Sequence, residues 1–507
     1  MDQRIGNRRE RWILLAILAL ALFARFFRLG HQSLWTDEML SIGAYTVPPG
    51  IAFWKKLLWD VHGPLYSLLL HFWSTVSSSE AWLRTPSALA GVLSVYLVYR
   101  WLVSLGRRDC ALIGALFFAL SPFNLYYSQE LRFYAQLTLC LIVSLIVFQR
   151  YLTRPTCANG VLLGVSLAVT CLSHFSGGFL CIGLFVYLVI TRKARGAHLR
   201  AGLLAAVILL AVISPWIYRE FRFLQGIRVV DVSTIPVEER YRGELTLSAW
   251  SYPYAFYAFS VGYSFGPTLR ELHRVESVPA LLETHGLEMV IVGCLFGVLT
   301  ILGLIRAART GVLALFLSIA LTTILSVSAL IKFNIKIFNA RYLISAFPVF
   351  IALLAYGVPA RGWRRYSAVI AVCAVMAFAG WNYHLVDAYA RDDVRGAVRL
   401  IDDREVAGDL IIAPSVVHTV RYYYGGPNEV TVLFPRDLGA AELQRRIERQ
   451  MQEHGRVWYV RCRHWDTDPD DLLVTAYSAE AEAVESWSLP GVIVYLFHHT
   501  PHLPNRE

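Results

Sequence analysis

Apolar residues in this chain come in long uninterrupted runs, unlike the short periodic stretches of a soluble protein. Eleven runs fall near residues 12–28, 86–105, 111–127, 133–149, 160–175, 178–191, 201–218, 287–305, 311–331, 342–359 and 366–383. A helix needs about 20 apolar residues to cross the hydrocarbon core of a bilayer, so the runs read as membrane spans. The first follows a basic leader (Arg4, Arg8, Arg9 and Arg11) without a small-residue cleavage motif, and an uncleaved anchor is the expectation. Leu65 to Val76 is shorter, amphipathic and bears His and Ser, which suits an interfacial helix. From about 385 the pattern changes. Strand-like runs at 409–414, 430–434, 456–462 and 491–497 alternate with helix-like segments near 392–405 and 438–453, as in a soluble α/β domain.

Composition sharpens this picture. Hydrophobic types make up 56% of the 507 residues and charged types 17%, against about 45–50% and 25% in soluble domains. The net charge of +10 raises the question of nucleic acid, and its placement answers it. Arg107 and Arg108, then Arg150 and Arg154, then Arg192, Lys193, Arg195 and Arg200, then Arg306 and Arg309, and last Arg361, Arg364 and Arg365 occupy every second loop. Cytoplasmic loops collect Lys and Arg, so the charge is a topology signal. The opposite loops, roughly 29–85, 128–132, 174–177, 219–286 and 332–341, are then external, as is everything after the eleventh span. The expected architecture is a polytopic α-helical membrane protein of about 11 transmembrane helices over 1–385, with external loops 29–85 and 219–286. A soluble extracytoplasmic α/β domain follows over 386–507. The eight Cys show no CxxC pair, which indicates neither a zinc site nor a disulfide framework.

Chemistry-bearing residues gather on the external side. Trp35-Thr36-Asp37-Glu38 follows the first span, and two carboxylates at a membrane surface suit a general base acting on a hydroxyl. Asp37 serves a helix cap over 39–45 equally well. His62-Gly63-Pro64 marks a turn into the amphipathic segment, where His62 suits a phosphate contact, proton transfer or simple solvation. In Ser128-Gln129-Glu130-Leu131-Arg132-Phe133-Tyr134, helical spacing puts Glu130 and Tyr134 on one face and turns Arg132 elsewhere. An aromatic belt explains the tyrosines of this segment but not Glu130, since ionisable groups at a span end face a bundle interior. His174 lies at the outer end of the fifth span. Lys332, Lys336 and Arg341 break the positive-inside rule in an outside loop, which points to an anionic ligand.

Together these segments resemble the C-type (GT-C) glycosyltransferases. The similarity is to the bacterial branch akin to protein O-mannosyltransferases, the lipid A aminoarabinose transferase and the lipopolysaccharide-core galacturonosyltransferases. It rests on Arg25-Phe-Phe-Arg28-Leu29 with Trp35-Thr-Asp37-Glu38, on His62-Gly-Pro-Leu-Tyr66 and on Ser128-Gln-Glu130-Leu-Arg132-Phe-Tyr134. His174-Phe175 and Arg341-Tyr342-Leu343 with Pro348 complete the set, which covers about 10–385. The resemblance implies an inverting transferase that takes a sugar from a polyprenyl-phosphate donor to an extracytoplasmic acceptor: lipopolysaccharide, another envelope glycan or a protein hydroxyl. It implies an inner (cytoplasmic) membrane enzyme with no required cofactor and no nucleic-acid partner. Asp37 matches the family's activating acid, with Glu38 beside it, and Glu130 matches the second acidic position. His62 stands where relatives often carry a donor-contacting Lys, and Arg341 matches the basic residue before a late span. Arg132, Tyr134, His174 and Tyr342 complete the expected donor-binding set. The Trp-Trp-Asp signature of oligosaccharyltransferases is absent.

A transporter or flippase for a lipid-linked sugar is the competing reading, but it would place charges deep within spans and break helices at the midplane. A scaffold centred on the C-terminal domain is a third. The topology is directly testable. With Cys introduced singly at 107, 193 or 364, an impermeant thiol reagent should leave intact cells unlabelled, whereas Cys placed in the C-terminal domain should react. Protection of the C-terminal positions would overturn the assignment.

Overall fold

Each of the eleven apolar runs lies largely on a helix. The computed structural model describes residues 8–45, 50, 53–55, 57, 63–229, 247–274, 278–333 and 337–499. Seven helices among these residues are long and apolar enough to cross a membrane: Glu80–Ser104, Tyr134–Thr153, Gly196–Arg219, Pro279–Arg309, Leu313–Lys332, Ala340–Gly357 and Trp363–Leu385. Arg108–Leu120 and Pro122–Ser128, bent by 56°, make an eighth if the pair is one span. The chain is a multi-pass membrane protein. By length and hydropathy alone these helices make seven or eight of the expected eleven spans; the other three runs lie on helices that fall short of that measure for a physical reason. Cys157–Ser173 and Gly177–Ile190 are apolar but have only 17 and 14 residues. Arg8–Phe26 carries Arg8, Arg9, Glu10, Arg11 and Arg25 within its 19 residues.

Two compact units divide the chain. The first comprises Met1–Leu29, Ala44–Gly266 and Leu282–Tyr383, and the second Gly30–Gly43, Pro267–Leu281 and His384–Glu507.

In the first unit the helices differ in what surrounds them. Only 11% of the apolar window of Gly196–Arg219 is buried, against 83% for Ala340–Gly357. Large apolar side chains such as Leu203, Val207 and Leu210 stand exposed on the former, as lipid-facing residues do. The latter is a core helix, with Phe347, Ile351, Leu354 and Tyr356 fully enclosed. Helices associate in lipid through close packing of small residues. Gly160-x-x-x-Gly164 on Cys157–Ser173 meets Ala201-x-x-x-Ala205 on Gly196–Val229. A Cβ on Gly160 would come within 2.4 Å of the Ala201 carbonyl oxygen, and one on Gly164 within 2.6 Å of that of Ala205. Gly303 and Gly357 do the same reciprocally for Val278–Arg309 and Phe347–Gly357, at 2.1 Å from Leu353 O and 2.0 Å from Leu299 O. Arg306 Nη1 donates to Tyr356 O at 2.6 Å and to Val358 O, capping the carbonyl end of the core helix.

The second unit is built on a five-stranded mixed sheet ordered β2-β1-β3-β5-β4. The strands are β1 Leu410–Ile412, β2 Glu429–Thr431, β3 Arg456–Cys462, β4 Ala483–Leu489 and β5 Val492–His498. β1 runs parallel to β2 and β3, while β5 pairs antiparallel with β3 and β4. Val394–Asp402 packs its buried Val394, Ala397, Val398 and Ile401 on one sheet face against Trp458 and Val460. Ala440–His454 covers the other with Leu443, Ile447 and Met451 against Val457 and Tyr459. β4 was not legible in the hydrophobic pattern, because it is an edge strand whose first four residues are exposed.

The glycine contacts carry a test. Gly160→Ala and Gly164→Ala should each cost about 1–3 kcal/mol, the usual penalty of overpacking. The reading is a lower unfolding midpoint of the detergent-solubilised protein. Val165→Ala, at an exposed position on the same helix, should leave it unchanged.

Candidate functional site

Pro122 opens the architecture of the site. It has no N–H, so the carbonyl of Phe118 four residues earlier loses its helical partner, and the helix breaks at Ser121. Buried Arg25 fills the gap. Its Nη2 donates to Phe118 O at 3.2 Å and to Asn124 Oδ1 at 2.7 Å, and its Nη1 donates to Ala119 O at 3.0 Å and Ala21 O at 3.2 Å. Ser121 Oγ accepts the Asn124 N–H at 3.3 Å and caps the short helix that follows. That helix ends at Ser128, and Gln129 Nε2 donates to the carbonyls of Arg25 and Phe27, both at 2.9 Å. Residues 129–133 are therefore a turn before Tyr134–Thr153. This corrects the expectation of one helical face for Glu130 and Tyr134, and of Arg132 pointing elsewhere. The proline break and the Gln129 clamp override helical spacing.

All three side chains are nonetheless buried and brought together in the first unit. Glu130 is fully enclosed, Arg132 is 2% exposed and Tyr134 1%. The Tyr134 hydroxyl lies within electrostatic reach of Arg341, Arg132, Glu130 and Tyr342. Arg341 and Tyr342 stand at the start of the 3₁₀ turn Ala340–Ala346, where Asn339 Oδ1 accepts the Arg341 N–H at 3.1 Å. The Arg341 guanidinium sits 5.6 Å from the Tyr134 ring centre and 5.8 Å from that of Tyr342, a cation–π arrangement. His174, at the C-terminal end of Cys157–Ser173, stacks on Phe133 at 4.5 Å and runs parallel to Tyr342 at 6.5 Å. Its Nδ1 accepts the Ser176 N–H at 3.3 Å and lies 2.8 Å from the Ser176 hydroxyl.

Short polar links fix these pieces. The Tyr66 and Ser87 hydroxyls lie 2.9 Å apart, and Ser87 Oγ donates to Arg132 O at 3.1 Å. Ser345 Oγ donates to Ser176 O at 2.8 Å, joining the Arg341 turn to the His174 turn. Gly63 lies so close to the end of the His174 helix that a Cβ would fall 2.0 Å from Leu172 O. The Gly-Pro motif thus seats one segment against another as well as turning the chain. His62 itself lies outside the described residues. Sequence reasoning missed the Tyr127–Tyr263 hydroxyl pair at 2.8 Å, beside Glu130 and Arg341. Its partners are 136 residues apart, and no local signal joins them.

The two acids of the first loop belong to the second unit. Thr36–Tyr45 is a helix with Asp37 and Glu38 in its first turn. Glu38 is fully buried. Its Oε2 accepts the Trp35 N–H at 3.3 Å, half of a capping box, and lies 3.3 Å from Arg391 Nη1. Asp37, about 100° further round the helix, is half-buried. Arg463 lies 4.9 Å over the Trp35 ring and pairs with Asp392 at 3.0 Å. Cys462 is a core residue, and burial pushes its thiol well above the usual range. Among the described residues no group of three or more His, Cys, Asp and Glu side chains is placed to hold a metal ion.

Residues 61–218 match the family model for dolichyl-phosphate-mannose-protein mannosyltransferase, a stretch that includes Gly63, Glu130, Arg132, Tyr134 and His174. No curated protein matches the chain in sequence. Its fold is similar to that of ArnT from Cupriavidus metallidurans in the apo state, at 13% identity over 97% of this chain and 98% of that one, with a TM-score of 0.56. The same protein bound to undecaprenyl phosphate gives 13% identity over 96% and 98%, with a TM-score of 0.55. The apo oligosaccharyltransferase of Archaeoglobus fulgidus gives 12% identity over 100% and 76%, with a TM-score of 0.51. The chain has the GT-C fold.

Within this GT-C fold the Arg25 clamp is what holds the bend open. Charge-assisted hydrogen bonds contribute about 1.5–3 kcal/mol each, and a lone Lys cannot reproduce a forked contact. Arg25→Ala should therefore sharply lower the folded yield and unfolding midpoint, Arg25→Lys should fall between, and Asn124→Ala should cost least. Equal stability of all three variants would show that the bend does not need the guanidinium.

Proposed function

We propose that this chain is an inverting glycosyltransferase of the inner (cytoplasmic) membrane. It moves a sugar from a polyprenyl-phosphate-linked donor to a hydroxyl of an extracytoplasmic acceptor: lipopolysaccharide, another envelope glycan or a protein. The observation that most supports this reading is the grouping of buried Glu130, Arg132, Tyr134 and His174 with half-buried Arg341 and Tyr342 on a GT-C scaffold. Cations held among aromatic rings suit a lipid phosphate, and an imidazole and a phenol suit sugar hydroxyls.

The reaction needs little else. The acceptor oxygen attacks the anomeric carbon from the face opposite the lipid phosphate, which inverts that centre. The bond from carbon to phosphate oxygen breaks, and polyprenyl phosphate leaves with the electron pair. Arg341, helped by Arg132 and His62, stabilises the charge that develops there, so no metal is required. Asp37 takes the acceptor's proton. Glu130, Tyr134, His174 and Tyr342 orient the donor, while Glu38 holds the loop.

The test is transfer by purified protein in liposomes supplied with a polyprenyl-phosphate sugar and an acceptor glycolipid or peptide. Asp37→Asn should lower kcat about 10²–10⁴-fold, the usual contribution of a general base. Arg341→Ala should weaken donor use about tenfold or more, and Arg341→Lys should recover only part of it. Turnover should survive EDTA. Normal turnover by both variants would sink the assignment of these two residues, and failure of the unaltered protein with every donor–acceptor pair would sink the transferase reading.

A further inference from the structure

A fully buried carboxylate needs a countercharge, and Glu38 finds one 353 residues away in the sequence. Arg391 Nη1 lies 3.3 Å from Glu38 Oε2, with the Arg391 side chain 6% exposed and that of Glu38 0%. Removing one partner of such a pair leaves an uncompensated charge in a low-dielectric interior. The same stretch of chain grips the loop at several further points. Ser33 Oγ donates to Asp392 O at 2.7 Å, and the Arg391 N–H donates to Gln32 Oε1 at 3.3 Å. Arg395 donates to Gly30 O at 3.3 Å and to His31 O. The Leu34 N–H donates to the Tyr423 hydroxyl at 2.8 Å.

Thr36–Tyr45 has 10 residues, too few for a helix to be stable on its own, so its orientation comes from these contacts. Adjacent helical residues point about 100° apart. With Glu38 fixed inward by Arg391 and by the Trp35 N–H, the direction of Asp37 is set.

We propose that Arg391 is a positioning residue for sugar transfer, and that the C-terminal α/β domain serves to present the Asp37 carboxylate in one orientation through the Arg391–Glu38 pair. The catalytic half of this inference rests on the proposed transferase reaction with Asp37 as its base. The structural half stands without it.

Two measurements separate them. Hydrogen exchange of the purified full-length protein in detergent reads the structural half: in Arg391→Ala, peptides covering residues 30–43 should exchange faster, while those covering 127–136 should not change. Turnover in liposomes reads the catalytic half. A misplacement of about 1 Å is enough to lose about a hundredfold in rate. Arg391→Ala should therefore lower kcat about a hundredfold with the donor KM unchanged, and Arg391→Lys should restore part of it. The double variant Glu38→Gln/Arg391→Ala should be no worse than Arg391→Ala alone, because the two act as one unit. If Arg391→Ala does not insert, Arg391→Lys carries both measurements and should be intermediate in each. Unchanged exchange of 30–43, normal kcat, or strictly additive losses would overturn the proposal. If the unaltered protein transfers no sugar, the transferase reading fails, and the exchange result still decides whether Arg391 holds the loop.

Discussion

In lipid there is no water to pair with a freed carbonyl, so a membrane helix can break only where the protein itself supplies the missing partners. Arg25 does this at the Phe118–Asn124 bend, with three hydrogen bonds donated to it from one guanidinium and a fourth to Ala21 O on its own helix. A buried Arg is costly unless its donors are used, and here the bend offers acceptors that would otherwise be stranded. The bend and the clamp are thus mutually dependent. What they allow is a turn at 129–133, where regular helix would have carried Glu130 and Arg132 to different faces.

The rest of the first-unit site hangs from that turn. Aromatic stacking does much of the positioning: Phe133 on His174, His174 alongside Tyr342, and Arg341 over Tyr134. Such contacts are individually worth about a kcal/mol. Their value lies in holding rings from three separate segments at fixed distances. The hydroxyl links Tyr66–Ser87–Arg132 and Ser345–Ser176 complete the frame. The close contact of Gly63 with Leu172 and Ser173 brings the segment that carries Tyr66 against the end of the His174 helix. Packing in this protein is therefore a condition of its chemistry.

The second unit solves a different problem. Asp37 and Glu38 are neighbours in sequence with the same charge, and burial separates their roles. Glu38 is enclosed and paired with Arg391, while Asp37 keeps part of its surface open. The arginines that hold the loop stand beside a well-packed sheet whose central strand β3 is buried over most of its length. A rigid sheet with helices on both faces is a firm base from which to fix a loop that could not order itself.

Much of this was legible from the chain alone. Long apolar runs announce membrane helices because a bilayer selects for length and hydropathy, and both are local properties. β3 was read to the residue because a short apolar run bounded by polar residues is local too. Candidate residues Glu130, Tyr134, His174 and Arg341 were picked out because charge and polarity at a span end are conspicuous against apolar surroundings. What the sequence could not supply was anything that depends on contact between distant segments. Where each apolar helix stops is one such property: Gly177–Ile190 has 14 residues and Tyr134–Thr153 has 20. The break at 129–133 was hidden because the residue that makes it possible, Arg25, lies about a hundred positions upstream. The pairing of Glu38 with Arg391 was hidden for the same reason, and with it the difference between two adjacent carboxylates. Local pattern determined which segments cross the membrane and which residues carry charge; tertiary structure alone decided which charges are compensated, because a buried ion's partner is chosen by space and not by sequence.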